Sequence, residues 1–281
     1  PFHCILSRSE TRVNKQMIEA APELKVIARA GVGVGNIDVE YATERGILVI
    51  NTPGKNTNSA AELTMGLLLS AFRKIVPAHQ SMQSLNWDRH RFNGGELLNK
   101  CLGIIGLGNV GHRVARYAKA FDMKVQAFDP YLADEVFERH GVQKVDWITL
   151  LNTSDVITFH VPLNDETRGM ISEMEIERMK PGVILLNTAR GGVIDETSLL
   201  NALHSGHVAA AGIDTWEVEP PRDNPFSQLP QVVMSPHIGA STSEAQIRIA
   251  ESIANQVPRA LRGEVVDFPV NMPSVKVLPN S

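Results

Sequence analysis

The chain has 281 residues, of which 43% are hydrophobic and 21% charged, the balance of a globular protein with room for one large or two medium domains. Its formal net charge of -4 leaves out the basic surplus of a non-specific nucleic-acid binder, so no nucleic-acid partner is expected. No apolar run reaches the roughly 18 residues of a membrane span, and Pro1 to Leu6 offers neither a basic leader nor a cleavage-like site. Two cysteines, Cys4 and Cys101, lie far apart in short apolar stretches. They read as buried thiols of a reducing compartment, which predicts a cytoplasmic protein without disulfides or a metal site.

In chain order, Cys4 to Ser7 reads as extended, Asn14 to Ala21 as a helix and Leu24 to Ala28 as a strand. The glycine-rich loop Gly31-Val32-Gly33-Val34-Gly35 follows, then a further helix and the run Ile47 to Ile50. Strands alternating with short helices predict a parallel sheet. Because the chain starts almost directly on a strand, the first domain is expected to lack an opening β-α-β portion. An exposed edge strand and exposed apolar surface would result.

Ser59-Ala60-Ala61-Glu62 has capping-box spacing, serine with glutamate three residues on. The helix it introduces, Leu63 to Phe72, suits a core helix and a contact with a neighbouring domain or subunit equally well. Beyond Lys100 the strands are short continuous apolar runs: Cys101 to Ile105, Lys124 to Phe128, Val156 to Phe159, Val183 to Leu186, Val208 to Ile213 and Val232 to Met234. Helical patterns such as Val110 to Phe121 and Thr197 to Leu203 separate them. A sheet buried on both faces needs such runs, so residues 54–239 are expected to form a doubly wound α/β domain. A second capping box, Ser241 to Glu244, opens a helix to about Leu261 that carries the chain back to the first domain. The predicted division is 1–53 with 240–281, and 54–239.

Gly106-Leu107-Gly108-Asn109-Val110-Gly111 stands directly between a strand and a helix, and Asp129 closes the next strand 23 residues after Gly106. In that context the pattern reads as a dinucleotide site. Gly106 permits the tight turn, Gly108 the approach of backbone to a pyrophosphate, and Gly111 the close packing of helix on strand. The helix N-terminus presents free N–H groups to the diphosphate. Asp129 suits ribose hydroxyls and would repel a 2'-phosphate, which favours NAD over NADP. Asp155 and His160 flank one strand, but no cluster with credible zinc spacing accompanies them.

Three further strand ends carry chemistry, in the segments Asn187 to Gly192, Asp214 to Glu219-Pro220, and Pro236-His237-Ile238-Gly239-Ala240-Ser241-Thr242. Together with the glycine-rich turn, these are four ordered motifs over nearly the whole chain. They resemble those of the D-2-hydroxyacid dehydrogenases. The resemblance implies a doubly wound NAD-binding domain with a smaller flavodoxin-like substrate domain, and a catalytic trio of Arg190, Glu219 and His237. Histidine can take a hydroxyl proton or return one near neutral pH, and a carboxylate on its second nitrogen would fix the tautomer and favour the charged ring. Arginine can fork a substrate carboxylate, which lysine would not reproduce. Around the cofactor the same resemblance adds Asn109, Val110, Pro130, His160, Pro162 and Thr167, and then Thr188, Ala189, Asp214 and Gly239.

Within the family the likeness is greatest to the phosphoglycerate dehydrogenases. It implies NAD-dependent oxidation of 3-phospho-D-glycerate to 3-phosphohydroxypyruvate, the first step of the phosphorylated serine pathway. Gly31, Val32 and Gly33 would then face the substrate carboxylate, and Arg8, Arg29 and Arg89 would offer donors to the phosphate. Glyoxylate or hydroxypyruvate reduction, and an NAD-sensing corepressor-like binding protein, remain open readings. A homodimer is the default assembly, with a tetramer open. Gly35 stands before Asn36-Ile37-Asp38 where the family usually has aspartate, so a loop-stabilising hydrogen bond is expected to be lost. Asp267 to Ser274 resembles the stretch that leads into extra domains in longer relatives.

Overall fold

A computed structural model describes residues 2–273, and Ser274 therefore lies outside the described residues. The chain divides into two compact units, Pro1–Asn56 with Ala240–Ser281, and Thr57–Gly239.

In the first unit, β1 (Cys4–Ser7), β2 (Val26–Arg29) and β3 (Leu48–Ile50) form a parallel sheet in that order. The central strand β2 is buried at all four positions, as a strand covered on both faces must be. One core gathers Val13, Ile18, Ile27 and Val49; another joins Val26, Ala28 and Ile50 to Ile253 and Val266. β1 lies at the sheet edge, with Leu6 65% exposed.

Helix α1 (Lys15–Glu19) is capped by Asn14, whose side chain accepts the Met17 N–H at 3.0 Å; α2 (Val39–Glu44) is capped in the same way by Asp38. The loop near Gly35 keeps a side-chain staple. Asn36 Nδ2 donates to Ser7 Oγ, Arg8 O and Thr11 O at 3.1, 2.9 and 2.6 Å, beside the aspartate-derived bond that Gly35 itself has no side chain to make. The C-terminal helix (Ser243–Leu261) starts from Thr242, whose hydroxyl accepts the Ala245 N–H at 3.2 Å. The expected box from Ser241 is displaced by one residue, and Ala245 at the third helical position has no carboxylate to complete it.

The second unit is a seven-stranded, wholly parallel sheet. Its strands are β4 (Cys101–Ile105), β5 (Lys124–Phe128), β6 (Gln143–Lys144), β7 (Val156–Phe159), β8 (Val183–Asn187), β9 (Val208–Ile213) and β10 (Val232–Met234). The order β10-β9-β8-β7-β4-β5-β6 reverses direction between β4 and β7, which opens a crevice beyond the strands' carboxyl ends. Helices α3 (Thr57–Phe72) and α5 (Asn109–Ala120) close one face, over a core that includes Leu68, Leu102, Val114 and Leu186. The other face is built on Ile105, Leu150, Phe159 and Leu199 and carries α7 (Trp147–Thr153), α8 (Glu173–Arg178) and α9 (Glu196–Ser205). Helix α6 (Asp134–His140) precedes β6.

Helix α3 packs into the core of its own unit through Ala61, Met65, Leu67, Leu68 and Ala71. It already begins at Thr57, so Ser59 is a buried residue of the first turn and does not cap it. The segment after α3 was not legible beforehand. It forms α4 (Ile75–Gln83) and a short 3-10 turn, Arg89–Phe92, and leaves Leu85 and Trp87 exposed. Among the described residues, no helix is long and apolar enough to cross a membrane.

Candidate active site

The glycine-rich turn connects β4 to α5. Gly106 has φ 89°, and a Cβ there would meet the His160 carbonyl oxygen at 2.8 Å. A Cβ on Gly111 would stand 2.1 Å from the Gly106 carbonyl oxygen, so both positions require glycine. At Gly108, by contrast, nothing lies within 4 Å of an added Cβ. Gly108 is also the N-cap of α5, with no side chain closing the helix terminus. Two crowded glycines shape the turn while the third leaves its surface clear, and this fits a diphosphate laid against the amides of Asn109 and Val110. Asp129 follows β5; its carboxylate accepts the Leu107 and Tyr131 N–H groups at 3.0 and 3.1 Å, fixing it beside the turn. A cavity of about 590 Å³ adjoins Asp129 and Pro130.

His160 ends β7 against Thr158, Oγ1 to Nε2 at 3.0 Å, and burial pushes its pKa down to about 3, so the ring is neutral at physiological pH. Thr167 closes the turn after it, donating to the Pro162 carbonyl at 2.6 Å. Thr188 shares a buried contact of 2.7 Å with Thr64 of α3, and the Ala189 N–H reaches Asn187 Oδ1 at 3.1 Å.

The trio is assembled by three strand ends. After β8, Asn187 Nδ2 holds the Arg190 carbonyl at 2.9 Å, and Arg190 Nη1 donates to the Ala189 carbonyl at 2.5 Å. Burial lowers the Arg190 pKa, partly countered by the negative charge of Glu219. After β10, His237 adopts a left-handed backbone with φ 53°. Its Nδ1 meets both Glu219 oxygens, at 2.9 and 2.7 Å. Burial alone would raise the Glu219 pKa. Hydrogen bonds from His237 and the Trp216 N–H, with the charges of His237 and Arg190, outweigh it and hold the carboxyl below its ordinary value. The carboxylate is therefore ionised at neutral pH and fixes the proton on Nδ1, leaving Nε2 for proton exchange.

Asp214 has a structural task besides the cofactor contact expected of it. It is fully buried; Oδ1 accepts Ser235 Oγ and the Ile238 N–H, and Oδ2 accepts the Gly239 N–H, at 2.6, 2.8 and 2.9 Å. Its own carbonyl takes the His237 N–H at 2.8 Å. Ser235 and Trp216 were missed in the sequence. A buried indole needs a partner for its N–H, and that was the available signal for Trp216.

In the first unit Arg29 is 7% exposed, and its guanidinium donates to Gly33 O, Ala30 O and Ser9 Oγ at 3.0, 2.8 and 3.0 Å. These bonds tie the guanidinium to its own loop and to Ser9. Gly31 and Val32 also direct their carbonyls to partners within the unit, Thr52 and Asn51. Arg8 is exposed, with Nη2 on Gln246 Oε1 at 3.1 Å. In the second unit Arg89 is exposed on its 3-10 turn.

A cavity of about 530 Å³ lies at the opposite, amino-terminal ends of the strands, beside Lys100, Asp155 and Gly182, and contains none of the trio. There Asp155 accepts the Cys101 N–H at 2.7 Å and pairs with Lys180 at 3.0 Å, a structural role.

Residues 65–239 match the family described as D-isomer specific 2-hydroxyacid dehydrogenase, NAD binding domain. The chain is 49% identical over 276 residues to a D-3-phosphoglycerate dehydrogenase of Archaeoglobus fulgidus, covering 98% of this chain and 52% of the relative. It is 47% identical over 260 residues to a hydroxypyruvate reductase of Thermotoga maritima, covering 92% of this chain and 84% of that one. The chain spans about half the length of the phosphoglycerate dehydrogenases it matches. Among solved structures, D-lactate dehydrogenase from Aquifex aeolicus, complexed with NAD and lactic acid, aligns with a TM-score of 0.86 at 30% identity over 97% of this chain and 87% of that one. The chain belongs to the D-isomer specific 2-hydroxyacid dehydrogenases, and its residues 65–239 form that family's NAD-binding domain.

Proposed function

We propose that the protein oxidises a D-2-hydroxy acid, or reduces the matching 2-oxo acid, and that its substrate is 3-phospho-D-glycerate. The observation that carries the reading is the Glu219–His237 pair, held at the strand ends of a domain with an NAD fingerprint, with Arg190 following the adjacent strand β8. Arg190 holds the substrate carboxylate in a fork and polarises the reacting oxygen. His237 Nε2 removes the hydroxyl proton, and the ionised Glu219 stabilises the imidazolium that results. NAD, when bound, supplies the hydride acceptor. In the reverse direction the same imidazolium protonates the carbonyl oxygen. The unit containing residues 240–281 and 1–56 is the substrate domain in this reading. The working assembly is a homodimer.

Support for the phosphorylated substrate comes from the relatives named D-3-phosphoglycerate dehydrogenase and from two exposed cations, Arg8 and Arg89. The phosphate reading takes Arg8, Arg29 and Arg89 as its donors. Hydroxypyruvate reduction is the second reading, favoured by the Thermotoga maritima relative, of which the chain covers 84%. The test compares kcat/KM for 3-phosphoglycerate and glycerate with NAD, and for hydroxypyruvate with NADH. The proposal expects the phosphorylated acid to be preferred by at least about 100-fold, the value of two charge-assisted contacts. Equal efficiency decides for the reductase. NAD binding without turnover of any 2-hydroxy or 2-oxo acid decides for an NAD-sensing binding protein.

A further inference from the structure

We infer that Trp216 is a positioning residue that holds Arg190, Glu219 and His237 in mutual register, an inference resting on the dehydrogenase reading above. The residue lies just past β9, and its side chain is 6% exposed, tilted against Phe226 with ring centroids 6.0 Å apart. It touches each of the three catalytic segments through a different group. Its backbone N–H donates to Glu219 Oε1 at 3.1 Å. Its indole Nε1–H donates to the Ser235 carbonyl at 3.3 Å, two residues before His237. Its carbonyl oxygen lies only 1.8 Å from where a Cβ on Gly191 would stand, so the residue next to Arg190 rests directly on it.

The three strand ends have no reason of their own to keep sub-ångström register, since each loop is only as rigid as its attachments. His237 in particular has a left-handed backbone that a non-glycine residue holds only when its surroundings impose it. Asp214 restrains that turn from one side, through the N–H groups of residues 237–239; the indole restrains it from the other, through the Ser235 carbonyl. Because the same tryptophan also holds Glu219, movement of the indole displaces the histidine relative to its carboxylate. A ring serving only to fill the core would need no N–H.

Two variants test this: Trp216→Phe, and replacement of Trp216 by benzothienylalanine, which keeps the bicyclic shape but has sulfur in place of N–H. Steady-state kinetics, the imidazole titration of His237 followed by NMR, and melting temperature are read for each. The proposal expects kcat to fall about three- to tenfold in both, the value of one hydrogen bond. KM for NAD should stay within about twofold, since no cofactor contact changes. The His237 titration midpoint should move in both proteins. If the benzothienyl protein keeps wild-type kcat and His237 titration, the indole only fills space and the proposal is overturned, whatever Trp216→Phe does. Should the wild-type protein turn over no 2-hydroxy or 2-oxo acid, the dehydrogenase reading fails. The His237 titration in the two variants still decides the role of Trp216.

Discussion

The buried Asp214 receives the His237 backbone N–H on its carbonyl at 2.8 Å, while its carboxylate gathers the next two N–H groups of the same turn. One residue thus sets the backbone from which the His237 ring, the proposed acid and base, projects. In Asp214→Ala three donors lose their acceptor in a dry site, each worth about 1–3 kcal/mol when orphaned. The expected outcome is a stability loss of about 3–5 kcal/mol, read from urea denaturation, with activity below detection. A variant of wild-type stability would show that the turn holds itself.

Glu219 is held below the ordinary carboxylate range, so its contribution is complete above that range and is lost as pH falls through the depressed value. At neutral pH, Glu219→Gln leaves the His237 Nδ1 proton without an ionised partner. A fall in kcat of about 10- to 100-fold is expected, with KM for NAD little changed. The kcat–pH profiles of the two proteins check this. An unchanged profile would remove Glu219 from the proton chemistry.

The fingerprint glycines predict opposite outcomes for the same substitution. Gly108→Ala places a methyl in open space, so the melting temperature should stay within about 2 °C while the Kd for NADH rises at least about tenfold. Gly111→Ala forces a methyl against the Gly106 carbonyl, which should destabilise the unit by about 3 kcal/mol or more. Nucleotide fluorescence titration and thermal melts together separate the two effects.

At the other end of the sheet, burial would raise the Asp155 pKa, but the Cys101 N–H and Lys180 lower it further than burial raises it. With its folded value depressed, the carboxylate stabilises the protein above the unfolded pKa of about 3.9 and loses that contribution as pH falls through the folded value. Asp155→Asn should cost about 1–2 kcal/mol at pH 7 and less near pH 3. Denaturation at the two pH values measures it; an equal cost at both would place the effect in packing.

Asp129, fixed by the Leu107 and Tyr131 N–H groups beside the glycine turn, is the group proposed to select NAD over NADP. Asp129→Ala removes the charge that repels a 2'-phosphate. The ratio of kcat/KM for NAD over NADP should fall at least about tenfold. A ratio that stays put would assign cofactor choice elsewhere.

The doubly wound unit was legible because its buried parallel strands need unbroken apolar runs, and such runs stand out in sequence from Cys101 to Met234. The glycine turn was equally plain, since Gly106 and Gly111 occupy positions where any Cβ collides with backbone. Helix starts were less well placed. At Ser59 and Ser241 the capping pattern lay close to the true start, but the first helix begins two residues earlier, at Thr57, and the last is capped by Thr242 in place of its neighbour Ser241.

The sequence by itself determined the chemical inventory: an NAD fingerprint, an arginine, a glutamate and a histidine at successive strand ends. Only the tertiary structure decided what surrounds them. The buried guanidinium of Arg29 must satisfy its N–H groups, and it does so on the carbonyls of Ala30 and Gly33 and on Ser9, contacts that no motif announces. Trp216 and Ser235 went unnoticed because a hydrogen bond from an indole to a distant carbonyl has no periodicity or motif. It exists only once β9 and β10 lie side by side.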